Sequence, residues 1–147
     1  MIIKQVGRYL HADPNFEQIK GKRVLVVEDG PTCTHGGMQY GAGSVAAKKY
    51  GAKELIDPRP YLKGSLHKTF EKYPNIGPLL PAMGYGPEQV KDLEDTINEI
   101  NCDLVIIGTP IDLGRVININ KPSVTVKYEL QEIGTPNLET VLAKHFA

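Results

Sequence analysis

The sequence lacks any long hydrophobic run, since its longest apolar segments are residues 24–27 and 104–107. Each is far shorter than the roughly 20 residues of a membrane-spanning helix, and the N-terminus lacks the apolar core of a signal peptide. The chain also lacks an excess of either charge, because 17 basic residues balance 17 acidic ones among 147 residues. These absences predict a cytoplasmic protein that binds neither membranes nor nucleic acid.

Cysteines and phosphate-binding motifs are also scarce. Cys33 and Cys102 lie in different contexts, a polar loop and a strand entrance, which predicts unpaired thiols rather than a disulfide. Cys33 and His35 have the spacing of two metal ligands, but two ligands fall far short of a zinc signature. No Gly-x-x-x-x-Gly-Lys-Ser/Thr segment occurs, so this chain by itself has no P-loop for nucleotide phosphates.

The segments that are present alternate between strand and helix patterns. Continuous apolar or β-branched runs predict strands at residues 2–6, 24–27, 54–56 and 104–107. Capping signals and helical periodicity predict helices that begin near Asp13, Ser44, Ser65, Pro87 and Thr135. The proline-rich and glycine-rich residues 73–86 are predicted to be a loop, and residues 124–130 alternate like one half-exposed strand.

This alternation determines the predicted fold class. Strands separated by helices imply right-handed crossovers and a parallel sheet that is covered on both sides. We therefore predict an α/β, three-layer Rossmann-like domain with a mainly parallel sheet. The whole chain, residues 1–147, is expected to be a single domain, with a lead-in strand and short helix in residues 1–22 and the main body in residues 23–147.

A glycine-rich polar loop follows the first buried strand, in the sequence EDGPTCTHGGMQYGAG. Its polar side chains are costly to bury, and its glycines expose backbone N–H groups, so the simplest interpretation is a loop that binds an anion. The segment GAGSVA has the letters of a dinucleotide fingerprint, but those glycines should follow the strand almost directly. Ordinary glycines at a helix entrance explain it better. His35 could act as a general base or phosphate donor, or stabilise a tight loop through backbone hydrogen bonds.

Further polar groups follow the other predicted strands. Arg59 comes after the short strand predicted at residues 54–56, and Asp112 and Arg115 come after the buried strand predicted at residues 104–107. Because ligands bind outside the carboxyl ends of parallel strands, these groups are expected to share one rim with Asp29. The segment TPID resembles a guanine-reading Asn-Lys-x-Asp element, but a proline replaces the lysine, and an aspartate that caps the following turn is the better interpretation.

Four segments together, EDGPTCTHGGMQYGAG, DPRPYLKGS, YPNIGPLLPAMGYG and TPIDLGRVI, resemble a family of predicted GTPases related to cyclic 2,3-diphosphoglycerate synthetase. The resemblance covers nearly the whole chain from about Gly21. It implies the C-terminal domain of a longer enzyme in which a P-loop domain or subunit precedes this segment. The complete enzyme would use Mg²⁺ and GTP or ATP, whereas this chain alone would not hydrolyse nucleotides.

Under this hypothesis the domain contributes a site for a small, phosphorylated anionic substrate. The candidate catalytic residues are Asp29, His35 and Glu28, and the two carboxylates would accept a proton or hold a metal ion, although no metal site is firmly predicted. The expected anion-binding residues are Thr32, Thr34, Gly36, Gly37, Gly41, Gly43, Arg59, Asp112 and Arg115.

Two other functions fit the sequence. One is a non-catalytic binding or oligomerisation module with a Rossmann-like fold, whose glycine loop packs against another domain or a second copy in a homo-oligomer. The other is a small-molecule enzyme in its own right, for which His35 and Asp29 are the only attractive pair of titratable groups.

Overall fold

A computed structural model describes residues 6–11, 16–31, 41–109 and 113–132. The strands in these residues are β1 (Val6–His11), β2 (Arg23–Asp29), β3 (Glu54–Leu55), β4 (Leu80–Ala82), β5 (Leu104–Ile107), β6 (Ser123–Thr125) and β7 (Lys127–Glu132). The α-helices are α1 (Ala42–Lys49), α2 (Ser65–Lys72), α3 (Pro87–Glu99) and α4 (Leu113–Val116), and 3₁₀ turns cover Phe16–Ile19 and Arg59–Tyr61.

The main sheet has five parallel strands and is built around β2. Its order is β3, β2, β5, β6, with β4 also paired to β2. Strands β1 and β7 pair antiparallel in a separate two-stranded sheet. The predicted α/β class with a mainly parallel sheet is therefore confirmed.

The centre of the sheet is buried on both faces, as the continuous apolar runs of β2 and β5 predict. Residues 24–27 of β2 are 0% exposed, and residues 104–107 of β5 are also buried. Burying one such valine, leucine or isoleucine side chain contributes about 1.5 to 3 kcal/mol, so these eight positions form the stable centre that holds the strand ends in place.

The crossovers produce the three layers. The connection through α1 leads from β2 to β3 on one side, whereas the connection through α3 leads from β4 to β5 on the other side of β2. Right-handed crossovers in opposite directions place these two helices on opposite faces of the sheet. Gly51, at φ +80°, follows the end of α1 in the C′ position that favours glycine.

The prediction of an uninterrupted loop at residues 73–86 is wrong at β4. Leu80, Pro81 and Ala82 are buried and pair in parallel with the last three residues of β2. A proline normally excludes a central strand because it has no N–H donor. Pro81 is tolerated because, among the described strands, β4 pairs only with β2, so that one side of β4 has no hydrogen-bond ladder to complete.

The predicted strand at residues 124–130 is in fact two strands. β6 pairs in parallel with β5, whereas β7 pairs antiparallel with β1, and Val126 lies buried between them. The described lead-in strand is Val6–His11, and residues 2–5 of the predicted strand lie outside the described residues. The helix predicted near Thr135 lies outside the described residues.

The helix predicted to begin near Ser65 is α2, but its N-cap is Gly64 rather than Ser65. Gly64 precedes the helix at φ +52°, and Ser65 is the first helical residue. Asp92 of α3 accepts hydrogen bonds from the Ser65 amide at 3.0 Å and from its hydroxyl at 2.8 Å. These two bonds hold the pKa of the Asp92 carboxyl below its ordinary value, so a neighbouring helix supplies the cap.

Candidate functional site at the carboxyl edge of the sheet

The carboxyl ends of β2, β4 and β5 meet at one edge of the sheet. Asp29, the last residue of β2, is paired with Ala82 of β4, and Val27 is paired with Ile107 at the end of β5. Gly108 continues from β5, and its amide donates a 2.7 Å hydrogen bond to the carbonyl of Val27. The residues that follow these three strands therefore form one rim.

The carboxylate of Glu28 is the best-defined polar group at this rim. Its side chain is only 1% exposed. Oε2 accepts hydrogen bonds from the amides of Gly41 at 2.6 Å and Ser44 at 3.1 Å, and Oε1 accepts one from the amide of Gly43 at 2.8 Å. Glu28 thereby satisfies three amides at the entrance of α1, where the helix dipole favours a negative charge.

Three glycines provide the space for this carboxylate. A Cβ atom on Gly41 would lie 2.8 Å from Oε2 of Glu28, and one on Gly43 would lie 2.8 Å from Oε1. A Cβ on Gly108 would clash with the same Oε1 and lie 2.8 Å from the amide nitrogen of Gly43. The glycines of the GAGSVA segment therefore serve close packing at a helix entrance, as the simpler sequence interpretation states.

This geometry bears on two predicted roles. The amides of Gly41 and Gly43, which we predicted to bind a substrate anion, donate to Glu28 instead. Glu28, which we predicted to be catalytic or metal-binding, is buried and has both oxygens engaged. An external anion could use these amides only by displacing that carboxylate, so the two predictions stay open but compete for the same atoms.

Several predicted site residues fall outside the described part of the chain. These are Thr32, Thr34, His35, Gly36, Gly37 and Asp112. Asp29 is described and lies half-buried at the end of β2, and Arg115 lies exposed in α4 after β5. Asp29 and Arg115 thus follow neighbouring strands, as the rim hypothesis requires.

Arg59 is not brought to this rim by the sheet. β3 ends at Leu55, which pairs with Val24, five residues and about 16 Å of strand before Asp29. The position beside Asp29 belongs to β4 instead. The assumption that the strand preceding Arg59 reaches the same edge as β2 is therefore wrong, because β3 and β4 divide one side of β2 between them.

The guanidinium of Arg59 is engaged in a separate cluster. It pairs with Asp57 Oδ1 at 3.0 Å, donates to the carbonyls of Ile76 and Pro74, and lies 4.8 Å from the centre of the Phe70 ring. These contacts fasten the segment before β4 to the turn after β3. Its predicted role as an anion clamp stays a prediction, and an anion would have to share a donor that already has several partners.

Two rim residues were missed as a pair by the sequence reasoning. The hydroxyl of Tyr85, after β4, lies 3.1 Å from Oγ1 of Thr109, after β5. Thr109 is 2% exposed, whereas Tyr85 is 38% exposed, so the hydrogen bond holds a partly open aromatic ring beside the carboxyl edge. The glycines on both sides of Tyr85 were the available signal, but only the strand pairing brings the two residues together.

The described residues contain no group of three or more histidine, cysteine, aspartate or glutamate side chains that could hold a metal ion. Cys102 is a buried free thiol, and its burial raises its pKa. This agrees with the prediction of an unpaired thiol at this position. In the same part of the chain, no helix has the length and apolar character needed to cross a membrane.

Together these features define the class of protein. The described residues form a Rossmann-like α/β fold, and several of their polar and glycine residues lie at the carboxyl edge, where open α/β sheets bind their ligands. The edge combines a buried anion at Glu28, a half-buried carboxylate at Asp29 and a partly exposed aromatic ring at Tyr85.

Comparison with known proteins shows similarity to one enzyme. The chain is 67% identical over 126 residues to arginine synthetase ArcE of Thermococcus kodakarensis. The match covers 86% of this chain but 28% of that protein, so the chain spans less than a third of the relative's length. No family model and no solved structure matches the chain. A synthetase-like relative is thus supported.

Proposed function

We propose that this chain is a Rossmann-like segment of an enzyme related to arginine synthetase, and that its carboxyl edge contributes to the substrate site. The observation that carries the proposal is the 67% identity over 126 residues. Synthetases in general couple bond formation to the cleavage of a nucleoside triphosphate. Because this chain contains no P-loop motif, we assign nucleotide binding to another domain or subunit.

A finer proposal combines the similarity to arginine synthetase with the resemblance to cyclic 2,3-diphosphoglycerate synthetase. We propose that the complete enzyme is an NTPase of that general type, using Mg²⁺ with ATP or GTP. This domain would present a small ligand that carries a carboxylate or phosphoryl group. Arg115 after β5 would contact that group, with the amides of Gly36 and Gly37 in the glycine-rich loop.

If arginine itself occupies the edge, its guanidinium needs acceptors and a flat surface. The carboxylate of Asp29 is suited to a bidentate pair with a guanidinium. The partly exposed ring of Tyr85, held by Thr109, is suited to a cation–π contact. Both residues follow strands that pair with each other, β2 and β4.

Thermal unfolding of the purified chain with added ligands tests this proposal. The panel is arginine, phosphorylated three-carbon acids, ATP and GTP. A ligand at about 100 times its dissociation constant should stabilise the fold by roughly 2.7 kcal/mol. We expect arginine or a phosphorylated acid to stabilise the chain, and we expect no nucleotide hydrolysis.

Two variants show whether the ligand binds at the proposed edge. Asp29→Asn should abolish the ligand-induced shift. Asp103→Asn is the matched control, because Asp103 precedes β5 at the opposite edge and accepts a 3.0 Å hydrogen bond from the Arg23 amide. If the ligand-induced shift survives Asp29→Asn, the ligand does not bind at the proposed edge. If this chain hydrolyses a nucleotide, the assignment of nucleotide binding to another domain or subunit is wrong.

The alternative, a non-catalytic assembly module, is favoured by one observation. The amides at the entrance of α1 and the guanidinium of Arg59 already have internal partners. Such a module would show no shift with any ligand of the panel, and light scattering would show a homo-oligomer or a complex with a P-loop subunit.

A further inference from the structure

The entrance of α1 has the geometry of an occupied anion site. Three backbone amides, from Gly41, Gly43 and Ser44, converge on two oxygens of one carboxylate at 2.6 to 3.1 Å. Helix entrances with exposed amides are where Rossmann-like domains bind phosphates and other anions. Here the anion belongs to the chain itself, on Glu28 of the preceding strand.

Within the described part of the chain, these amide dipoles are the groups that balance the charge of Glu28. None of the ion pairs between described residues includes Glu28. A buried carboxylate without a cation is costly unless hydrogen bonds satisfy it, and charge-assisted bonds from backbone amides are among the stronger ones. The three amides therefore stabilise Glu28 as they would stabilise a bound ion.

From this arrangement we infer that Glu28 is a built-in ligand of the glycine-rich helix entrance, which excludes external phosphate or carboxylate groups from the amides of Gly41, Gly43 and Ser44. Removing the side chain beyond Cβ converts the entrance into an open site for a small carboxylate. This inference does not depend on the proposed function. It directs any substrate anion to other donors of the carboxyl edge.

Chemical rescue tests the inference. The atoms that Glu28→Ala removes, Cγ and the carboxylate, correspond to one acetate ion. Sodium acetate at ten times its dissociation constant should raise the folding equilibrium constant of Glu28→Ala about 11-fold. Three controls should not show this increase. Sodium chloride at equal ionic strength lacks the two oxygens that would accept from the three amides of Glu28→Ala, and the entrance stays filled when acetate is added to the wild-type chain or to Glu28→Gln.

Amide spectra locate the rescue. In ¹⁵N-resolved spectra of Glu28→Ala, acetate should shift the signals of Gly41, Gly43 and Ser44, whereas wild-type signals should not move. If Glu28→Ala does not fold alone, the same variant is diluted from urea with and without formate or acetate, and recovery only with the anion supports the inference.

Two results would overturn it. One is that acetate leaves the folding equilibrium constant of Glu28→Ala unchanged. The variant would then either be as stable as wild type without acetate or stay unfolded with every anion. The other is binding of acetate or inorganic phosphate to the same three amides in the wild-type chain, which would make the entrance an open site.

Discussion

The amide of Gly43 donates a 2.8 Å hydrogen bond to Oε1 of Glu28, fifteen residues earlier in the chain. This bond joins the end of the central strand to the first turn of the helix that follows. Because Gly108 leaves the necessary space from the side of β5, three elements that meet at this edge, β2, α1 and the end of β5, depend on one buried carboxylate. Changes at any of them should therefore be coupled.

Gly41→Ala should destabilise the domain by about 1 to 3 kcal/mol. The new Cβ would lie 2.8 Å from Oε2 and 2.9 Å from Cδ of Glu28, and the backbone of Gly41, at φ −124°, suits alanine. In a Glu28→Ala background the penalty should shrink, because the clashing carboxylate is gone. Urea denaturation of the two single variants and the double variant measures this coupling, and additive effects would contradict the assigned contact.

Asp92→Asn should lower stability at neutral pH by about 1 kcal/mol, the scale of a lost helix cap. Hydrogen bonds from Ser65 hold the folded-state pKa of Asp92 below its ordinary 3.8. The stabilisation is therefore present above pH 3.8 and is lost as the pH falls through the lower folded-state value. Stability curves of wild type and variant should converge in acid, and a difference that is constant with pH would exclude this mechanism.

Arg59→Lys should destabilise the chain nearly as much as Arg59→Ala, by about 1 to 2 kcal/mol. A lysine cannot reproduce the planar guanidinium that contacts Asp57, two carbonyls and the Phe70 ring. Arg23→Ala is the control, because the Arg23–Glu54 pair is exposed and should contribute less than about 1 kcal/mol. If Arg59→Lys keeps full stability but loses ligand binding, Arg59 acts as the anion clamp instead.

Tyr85→Phe and Thr109→Val should each cost about 0.5 to 1.5 kcal/mol, the usual net contribution of one hydrogen bond. Because both remove the same 3.1 Å contact, the double variant should cost less than the sum. Tyr61→Phe is the control, since the Tyr61 hydroxyl has no hydrogen-bond partner among the described residues, and it should be neutral. If the proposed substrate edge is correct, Tyr85→Ala should weaken ligand binding more than Tyr85→Phe does, which calorimetry can measure.

The resemblance noted in the sequence and the comparison with arginine synthetase agree at the level of a synthetase-like relative. The sequence also indicates that Asp29 lies at the carboxyl end of a buried strand, where the structure has it, because the polar residues directly follow a buried run; that this edge holds the site stays a prediction. It could not assign the partners of Arg59 or identify the Tyr85–Thr109 pair. Those contacts depend on the strand pairing, in which β3 lies beside the start of β2 and β4 lies beside its end.

The sequence by itself determined the elements whose patterns are local: the buried runs of β2 and β5, the amphipathic helix α3 and the glycine that ends α1. Hydrophobic periodicity and backbone preference act within a few residues, so they can be recognised without a fold. Only the tertiary structure decided that β3 ends at Leu55, opposite Val24 of β2, that the proline-containing β4 takes the position beside Asp29, and that Glu28 fills the entrance of α1. Each of these depends on segments far apart in the chain, where available space and unsatisfied hydrogen-bonding groups select the partner.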